Sequence, residues 1–333
     1  MKCPGGLIIP GLFHNFRPTN LKTKHFKPFC YFSNMKPTLL ILAAGMASRY
    51  GSMKQIDGFG PNGETIIDYS IYDAIKAGFG KVIFIIKEEF VENFKSKFEP
   101  KLNGKIETDY VFQNFDIKQY GVDMEIERAK PWGTAHAILS ARNVIKEPFC
   151  VINADDFYGY DAFKKMVDFL NNEVNGSNFS MIGYEIGKTL SEHGSVSRGV
   201  CKVDATGNLE EIVERTQVYK EFDVVVYEEN GHKHPLDLDT RVSMNFWGFT
   251  PEVFTTTLEL FQEFALANKD NPKAEFFIPL VADALIRSQK ADFKVIPTDS
   301  QWFGVTYKED KPIVQENIDT LVKEGVYPDN LWN

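Results

Sequence analysis

The feature that most limits what this chain can fold into is the alternation of short apolar runs with amphipathic stretches through its first half. The runs TLLILAA (38–44), KVIFIIK (81–87), DYVFQ (109–113), FCVIN (149–153) and FSMIGYEI (179–186) have the length and side chains of buried strands. Between the first two, TIIDYSIYDAIKA (65–77) sets Ile67, Ile71, Ala74 and Ile75 on one helical face, and Gly78 follows as a stop. Glu89–Phe98, Trp132–Ile145 and Asp161–Glu173 read as further helices. Strands separated by helices pair in parallel, so the expected fold is α/β: a Rossmann-like, doubly wound mixed sheet in three α/β/α layers. Past residue 195 the texture changes. VCKVD (200–204), residues 208–213 and VSMNFWGF (242–249) look like antiparallel additions. Helices are expected at Pro251–Ala267, Phe276–Ser288 and Lys308–Glu324, with a strand at 291–297. There is no internal repeat and no low-complexity tract.

The composition bounds the partners. The chain has 333 residues, 43% hydrophobic and 25% charged, enough for one large α/β domain with additions or for two domains. A net charge of −9 argues against nucleic acid or an anionic membrane as partner, though not against a nucleotide, whose charge needs only a few cations. Cys3, Cys30, Cys150 and Cys201 lack metal-ligand spacing, which favours a reduced, cytoplasmic protein. No apolar run reaches transmembrane length. Residues 1–34 are rich in Pro, Lys, Phe and Asn without periodicity, and are expected to be a disordered extension ahead of a start at Met35. A short targeting segment is the competing reading, since the stretch is basic. Residues 35–333 are expected to form one domain: a nucleotide-binding half over about 37–190, merging into a second binding half over 191–333.

The chemistry starts where the first strand ends. After Ala44 the chain enters a loop with Gly45, Gly51, several small residues, Arg49 and Lys54. Small residues let backbone N–H groups approach an anion, and the two cations can neutralise phosphate. The P-loop spacing fails here, because five residues separate Gly45 from Gly51 and Ser52-Met53 precede Lys54. The dinucleotide fingerprint fails as well, because Ala47 and Tyr50 stand at glycine positions. Residues 38–55, TLLILAAGMASRYGSMKQ, instead resemble the signature of the sugar-nucleotidyltransferases, the nucleoside-diphosphate-sugar pyrophosphorylases: L-A-x-G-x-G-[ST]-R-x(n)-K. Ala47 replaces the second glycine and Met53 the usual proline. The plain alternative is a Gly-containing turn with surface cations.

Three further stretches resemble the same family. KPWGTAHAIL (130–139), with Gln113 upstream, is similar to the segment that lines the base in UDP-glucose pyrophosphorylases. The resemblance implies that Gln113 and Gly133 contact the base, with Ala44, Gly45 and Thr134 beside the nucleotide. Gly133-Thr134 opens a helix whose N–H groups can face an anion or base. His136 is more simply a helix residue satisfied by its neighbours, Trp132 is packing, and Lys130 faces solvent. INADDFYG (152–159) places two carboxylates after a buried strand, where Mg²⁺ ligands are expected in an α/β sheet. The resemblance implies that Asp155 holds Mg²⁺; a helix N-cap pair is the alternative. EEIVERTQ (210–217) resembles the family's I-x-E-K-P, which implies that Glu214 holds sugar hydroxyls and Arg215 the sugar phosphate, with Gly199 of Arg198-Gly199-Val200 beside the sugar. Alone, Glu-Arg on a strand is a solvated face. The family's second Mg²⁺ aspartate is missing: in QWFGVTYKED (301–310), Gly304 stands near its place, and Asp299 and Asp310 are out of register.

The resemblance, which covers about Thr38 to Asp319, implies an enzyme that joins an NTP, UTP or dTTP, to a sugar 1-phosphate and releases pyrophosphate. Arg49, Lys54 and Asp155 would be the catalytic residues, Mg²⁺ the cofactor, and a homo-oligomer is possible. Two rivals stay open. One is a cytidylyltransferase acting on a non-sugar phosphate such as phosphocholine or a polyol phosphate. The other is a non-catalytic nucleotide-sugar sensor.

Overall fold

The structure, a computed structural model, describes residues 35–45, 58–304 and 310–333. The expectations for residues 1–34, and for Arg49 and Lys54, lie outside the described residues.

Seven strands of an eleven-stranded sheet form the centre. Its parallel strands are β1 (Thr38–Leu42), β2 (Lys81–Ile86), β3 (Glu107–Phe112) and β4 (Phe149–Asn153), in the order β3-β2-β1-β4. Leu39, Leu40, Ile41 and Val82 through Ile86 have no solvent exposure, which is why these strands read as unbroken apolar runs: both faces are covered. Beyond β4 lie β11 (Arg241–Phe249), β6 (Asn178–Glu185) and β12 (Asp292–Pro297). β11 runs antiparallel to both β4 and β6, and β12 is parallel to β6.

One face packs on α1 (Ile66–Ala77), α2 (Val91–Leu102) and α4 (Tyr160–Asn172). The other packs on α3 (Thr134–Ser140), α5 (Val253–Ala267) and α6 (Ile278–Arg287). This is the three-layer, doubly wound mixed sheet expected. Local signals place the helices. In α1, Thr65 caps the start in a reciprocal box with Asp68, whose Oδ2 accepts from Thr65 N at 2.7 Å. Gly78, at φ 113°, accepts the left-handed turn that ends the helix.

The antiparallel additions branch from β11. β7 (Val196–Val203), β8 (Leu209–Glu221), β9 (Val224–Glu229) and β10 (His232–Leu236) form a meander whose first strand pairs with the N-terminal part of β11. A bulge at Asn245, φ 62°, shifts the register between Ser243 and Trp247, so that β11 leaves β7 and joins β4. β8 is twice the length expected, and the β9–β10 hairpin is an element the sequence reading lacked. A small ribbon of β5 (Asp156–Phe157) and β13 (Phe303–Gly304) is covered by α7 (Lys311–Lys323), with Phe157 stacked on Phe303 at 4.2 Å.

Candidate active site at the carboxyl edge of the parallel strands

The chain winds from β1 through β2 to β3 on one side of β1, then returns to β4 on the other. The β1/β4 boundary is therefore the point where the winding reverses, and the crevice beyond the strand ends there is where α/β sheets bind ligands. Three predicted residues leave that edge together. Gly45 follows β1, Gln113 follows β3 and Asp155 follows β4. Leu42 and Asn153 are register partners, and Ala154 N donates to Leu42 O at 3.3 Å, so the Ala44–Gly45 turn and Asp155 emerge side by side. A Cβ on Gly45 would meet nothing within 4 Å among the described residues.

Gln113 is tied to the KPWGTAHAIL segment. Its Nε2 donates to Gly133 O at 3.1 Å and lies 3.1 Å from His136 Nδ1. A carbonyl can only accept, so the atom facing Gly133 O is the amide nitrogen, and His136 Nδ1 must accept too. Burial and the nearby Arg128 and Arg142 push His136 down to about 3, so the ring is neutral at physiological pH. The amide nitrogen is thereby used by the protein, and Gln113 is left to present Oε1, an acceptor. Gly133 sits at φ 102°, and a Cβ there would lie 2.5 Å from Phe276 O. That close approach lets Ala135 N donate to Phe276 O at 2.9 Å and Thr134 Oγ1 accept from Ile278 N at 3.1 Å. The helix Thr134 opens has only seven residues, and one of its first N–H groups is thus already bound.

Asp155 and Asp156 stand at the end of β4. Asp156 Oδ2 accepts from Asn153 Nδ2 at 2.9 Å and from the Tyr158 hydroxyl at 3.2 Å. Burial, and next the charge of Asp155, push the Asp156 carboxyl up to about 7. Asn153 is fixed in turn by Asn245 of the bulge, whose Nδ2 donates to Asn153 Oδ1 at 2.7 Å. Opposite Asp156 in the ribbon is Gly304, where a Cβ would lie 2.7 Å from Asp156 Oδ1. Residue 304 thus has to lack a side chain where it packs against the aspartates, and it adds no ligand. Asp310 accepts from Ser191 at 2.9 Å, and the well-exposed Asp299 faces Lys165 at 3.8 Å.

The far wall comes from β7 and β8. Gly199 is the register partner of Glu214, and Arg198 of Arg215. Glu214 is reachable by solvent, yet the mass of protein around it raises its carboxyl, against the pull of Arg198. Arg215 is engaged elsewhere, paired with Glu229 at 2.6 Å and lying over the Tyr227 ring at 4.4 Å. Arg198, named in the sequence only for its neighbour glycine, is buried, and its charge acts on both Asp156 and Glu214. Asn153, Tyr158, Asn245 and Arg198 are the residues the sequence reading did not assign to the site. The polar Asn153 ending an apolar strand was the one available signal.

The donor set suits a hard divalent cation completed by ligands from outside the protein. Burial, and next the charge of Asp155, raise Asp156, and a cation beside the pair would offset both. No cluster of three ligating side chains occurs among the described residues, so phosphate and water oxygens would have to supply the rest.

Comparison with known proteins agrees with this arrangement. No curated protein matches the sequence. The structure is similar to an inositol-1-phosphate CTP transferase from T. maritima, at 12% identity and a TM-score of 0.58, over 88% of this chain and 98% of that one. It is also similar to a Bacillus anthracis protein described as a glucose-1-phosphate thymidylyltransferase, at 13% identity and 0.56, over 84% and 94%. A UDP-glucose pyrophosphorylase complexed with UDP-glucose aligns at 16% identity and 0.53, over 86% and 99%. The family model for nucleotidyl transferases matches residues 40–310, from the third residue of β1 to the start of α7, so the chain belongs to the nucleotidyl transferase family and is a nucleotidyltransferase.

Proposed function

We propose that the enzyme transfers a nucleotidyl group from UTP or dTTP to a sugar 1-phosphate, giving an NDP-sugar and pyrophosphate. The observation that carries this reading is a run of charged groups, Asp155, Asp156, Arg198 and Glu214, in which each group's charge acts on the next. One end meets the nucleotide edge of the sheet, and the other is a solvent-reachable carboxylate able to accept hydrogen bonds from hydroxyls. A molecule with a phosphate at one end and a polyhydroxylated ring at the other matches that polarity.

In this reading a phosphate oxygen of the acceptor attacks the α-phosphorus in line. The new P–O bond forms as the bond to the β-phosphate breaks, and the electron pair leaves with pyrophosphate. A phosphate monoester is already nucleophilic, so no side chain has to remove a proton. The work is alignment and charge neutralisation. Gln113 Oε1 accepts from the base, Gly45 lets the triphosphate approach the backbone, and Glu214 orients the sugar. Arg49 and Lys54 of the following loop neutralise the triphosphate. Asp155, with Asp156 behind it, would hold Mg²⁺, which when bound supplies Lewis-acid stabilisation of the phosphoryl oxygens.

A second reading is favoured by the acceptor-only amide of Gln113. Oε1 suits the N3–H of uracil or thymine, but it suits the N4 amino group of cytosine as well. With the fold also shared by an inositol-1-phosphate CTP transferase, CTP with a polyol phosphate is the alternative. Pyrophosphate release measured over UTP, dTTP, CTP, ATP and GTP, against glucose 1-phosphate, inositol 1-phosphate and phosphocholine, decides between them. Turnover with UTP or dTTP and a sugar 1-phosphate is expected. Turnover confined to CTP with a polyol phosphate would reject the first reading.

A further inference from the structure

Arg198 is an unusual residue for its surroundings. It is 6% exposed, on β7, and no carboxylate lies within ion-pair distance of it among the described residues. A buried guanidinium is costly unless its charge is compensated. Its hydrogen-bond partners are neutral. Nε donates to Thr189 O at 3.1 Å and to Thr189 Oγ1 at 3.2 Å, Nη1 donates to Ser197 O at 2.8 Å, and Nη2 donates to Thr189 O. The guanidinium lies over the Trp302 ring, 4.7 Å from its centroid. Five N–H groups are available, and these contacts use one on each nitrogen, leaving one on Nη1 and one on Nη2. Two spare, coplanar donors on a fixed plane make the fork that binds two oxygens of a phosphate or carboxylate.

Its position says which anion. On one side, Trp302 leads within two residues to Gly304, which is paired with Asp156, and the Trp302 ring reaches within 3.2 Å of where a Gly304 Cβ would sit. On the other side, the next residue, Gly199, is paired with Glu214. The cation therefore stands between the carboxylates at the nucleotide edge and the carboxylate of the far wall. Those are the two ends that an acceptor must bridge: its ring toward Glu214, its nucleophilic oxygen toward the α-phosphorus beside Asp155. Arg215, the other arginine of the meander, already has Glu229 and Tyr227.

We propose that Arg198 is the residue that grips the phosphate of the acceptor, its spare fork holding two non-attacking oxygens while the Trp302 ring fixes the plane of the guanidinium. This rests on the reading of the enzyme as one with a phosphorylated acceptor. It makes Arg198 a substrate-binding residue that the sequence alone did not reveal. The site accepts any phosphate monoester whose remaining groups can reach Glu214, so phosphate recognition is separate from sugar recognition.

The test uses the full chain and begins with wild-type pyrophosphate release. If no phosphorylated acceptor supports turnover, the underlying reading fails, whatever Arg198 does. Given turnover, Arg198→Lys and Arg198→Met are compared with wild type in melting temperature and in both KM values. The expected result is an acceptor KM raised roughly tenfold to a hundredfold, the usual worth of a charge-assisted contact, with the NTP KM within about twofold. Arg198→Lys should recover only part of the loss. An acceptor KM that moves no more than the NTP KM would overturn the proposal. Because a buried substitution can unfold the chain, a second measurement uses the wild-type protein. Inorganic phosphate is titrated while tryptophan emission is followed, with Trp302→Phe as the reference. Phosphate seated on Arg198 should change the emission of wild type and not of Trp302→Phe, and should compete with the acceptor. Equal responses in the two proteins, or none in either, would contradict it.

Discussion

Single contacts decide the chemistry at the carboxyl edge. Gln113 shows how: the amide is oriented by a carbonyl that can only accept and by a histidine that burial keeps neutral. His136 is thus both a packed residue, as the sequence suggested, and the group that fixes the polarity of Gln113. Gln113→Leu should raise the NTP KM by about tenfold or more through the lost base contact, while acceptor KM changes little. His136→Phe keeps the aromatic packing against Tyr120 and Phe261 but frees the amide. It should erode selectivity among bases more than it lowers kcat. Equal selectivity in His136→Phe and wild type, read as ratios of kcat/KM across NTPs, would show that the histidine only packs. Asp155, Gln113, Gly133 and Glu214 could be proposed from the sequence because each sits in a run of residues with a recognisable pattern. Arg198 was not, because an arginine inside a strand looks like a solvated one until the fold buries it.

At the scale of elements, the site depends on the bulge in β11. Asn245 adopts φ 62°, which asparagine tolerates better than β-branched residues do. Its amide ties together Asn153 and Trp247, accepting from Trp247 Nε1 at 3.1 Å. The bulge lets one strand serve the meander with its first half and the parallel sheet with its second. Asn245→Val would combine a strained left-handed backbone with the loss of buried hydrogen bonds. About 2–4 kcal/mol of stability should go, read as a lower urea midpoint at unchanged m. A midpoint equal to wild type would mean that the register shift needs no asparagine. The sequence showed where the main strands lie, since their apolar runs are continuous. It hid the β9–β10 hairpin, whose strands carry Glu228, Glu229, His232 and Lys233 beside the buried Val225 and Val226, so no clean alternation marks them. The Asn230-Gly231 turn, at φ 52° and 78°, was its signal. Pro235 argued against a strand, but β10 is an edge, where a missing N–H is harmless.

At the scale of the whole molecule, the C-terminal segment closes back over α1. The Tyr327 hydroxyl donates to Asp73 Oδ2 at 2.7 Å, and Trp332 Nε1 donates to Asp68 Oδ1 at 3.1 Å. Burial pushes the Asp73 carboxyl up to about 7, despite the Tyr327 hydrogen bond and Lys76. An unfolded chain releases that proton near pH 4 while the folded chain keeps it until near 7. Stability therefore falls between those values as pH rises, and then levels. Asp73→Asn removes the titration, so it should raise the melting temperature at pH 8, by the equivalent of a few kcal/mol at most, and do so far less at pH 4.5. A gain independent of pH would assign the effect to packing. The fold class was readable from strand–helix alternation alone, whereas this tether was not, because Tyr327 and Asp73 are 254 residues apart. The most direct measurement is pyrophosphate release by wild type and by Asp155→Ala and Asp155→Asn, at saturating Mg²⁺, with and without acceptor. If the carboxyl edge of β4 is the site of nucleotidyl transfer, wild type releases pyrophosphate only with acceptor present, and both variants lose turnover by a hundredfold or more while melting within a few degrees of wild type. A folded Asp155→Ala enzyme with near-normal turnover would contradict the placement of the active site.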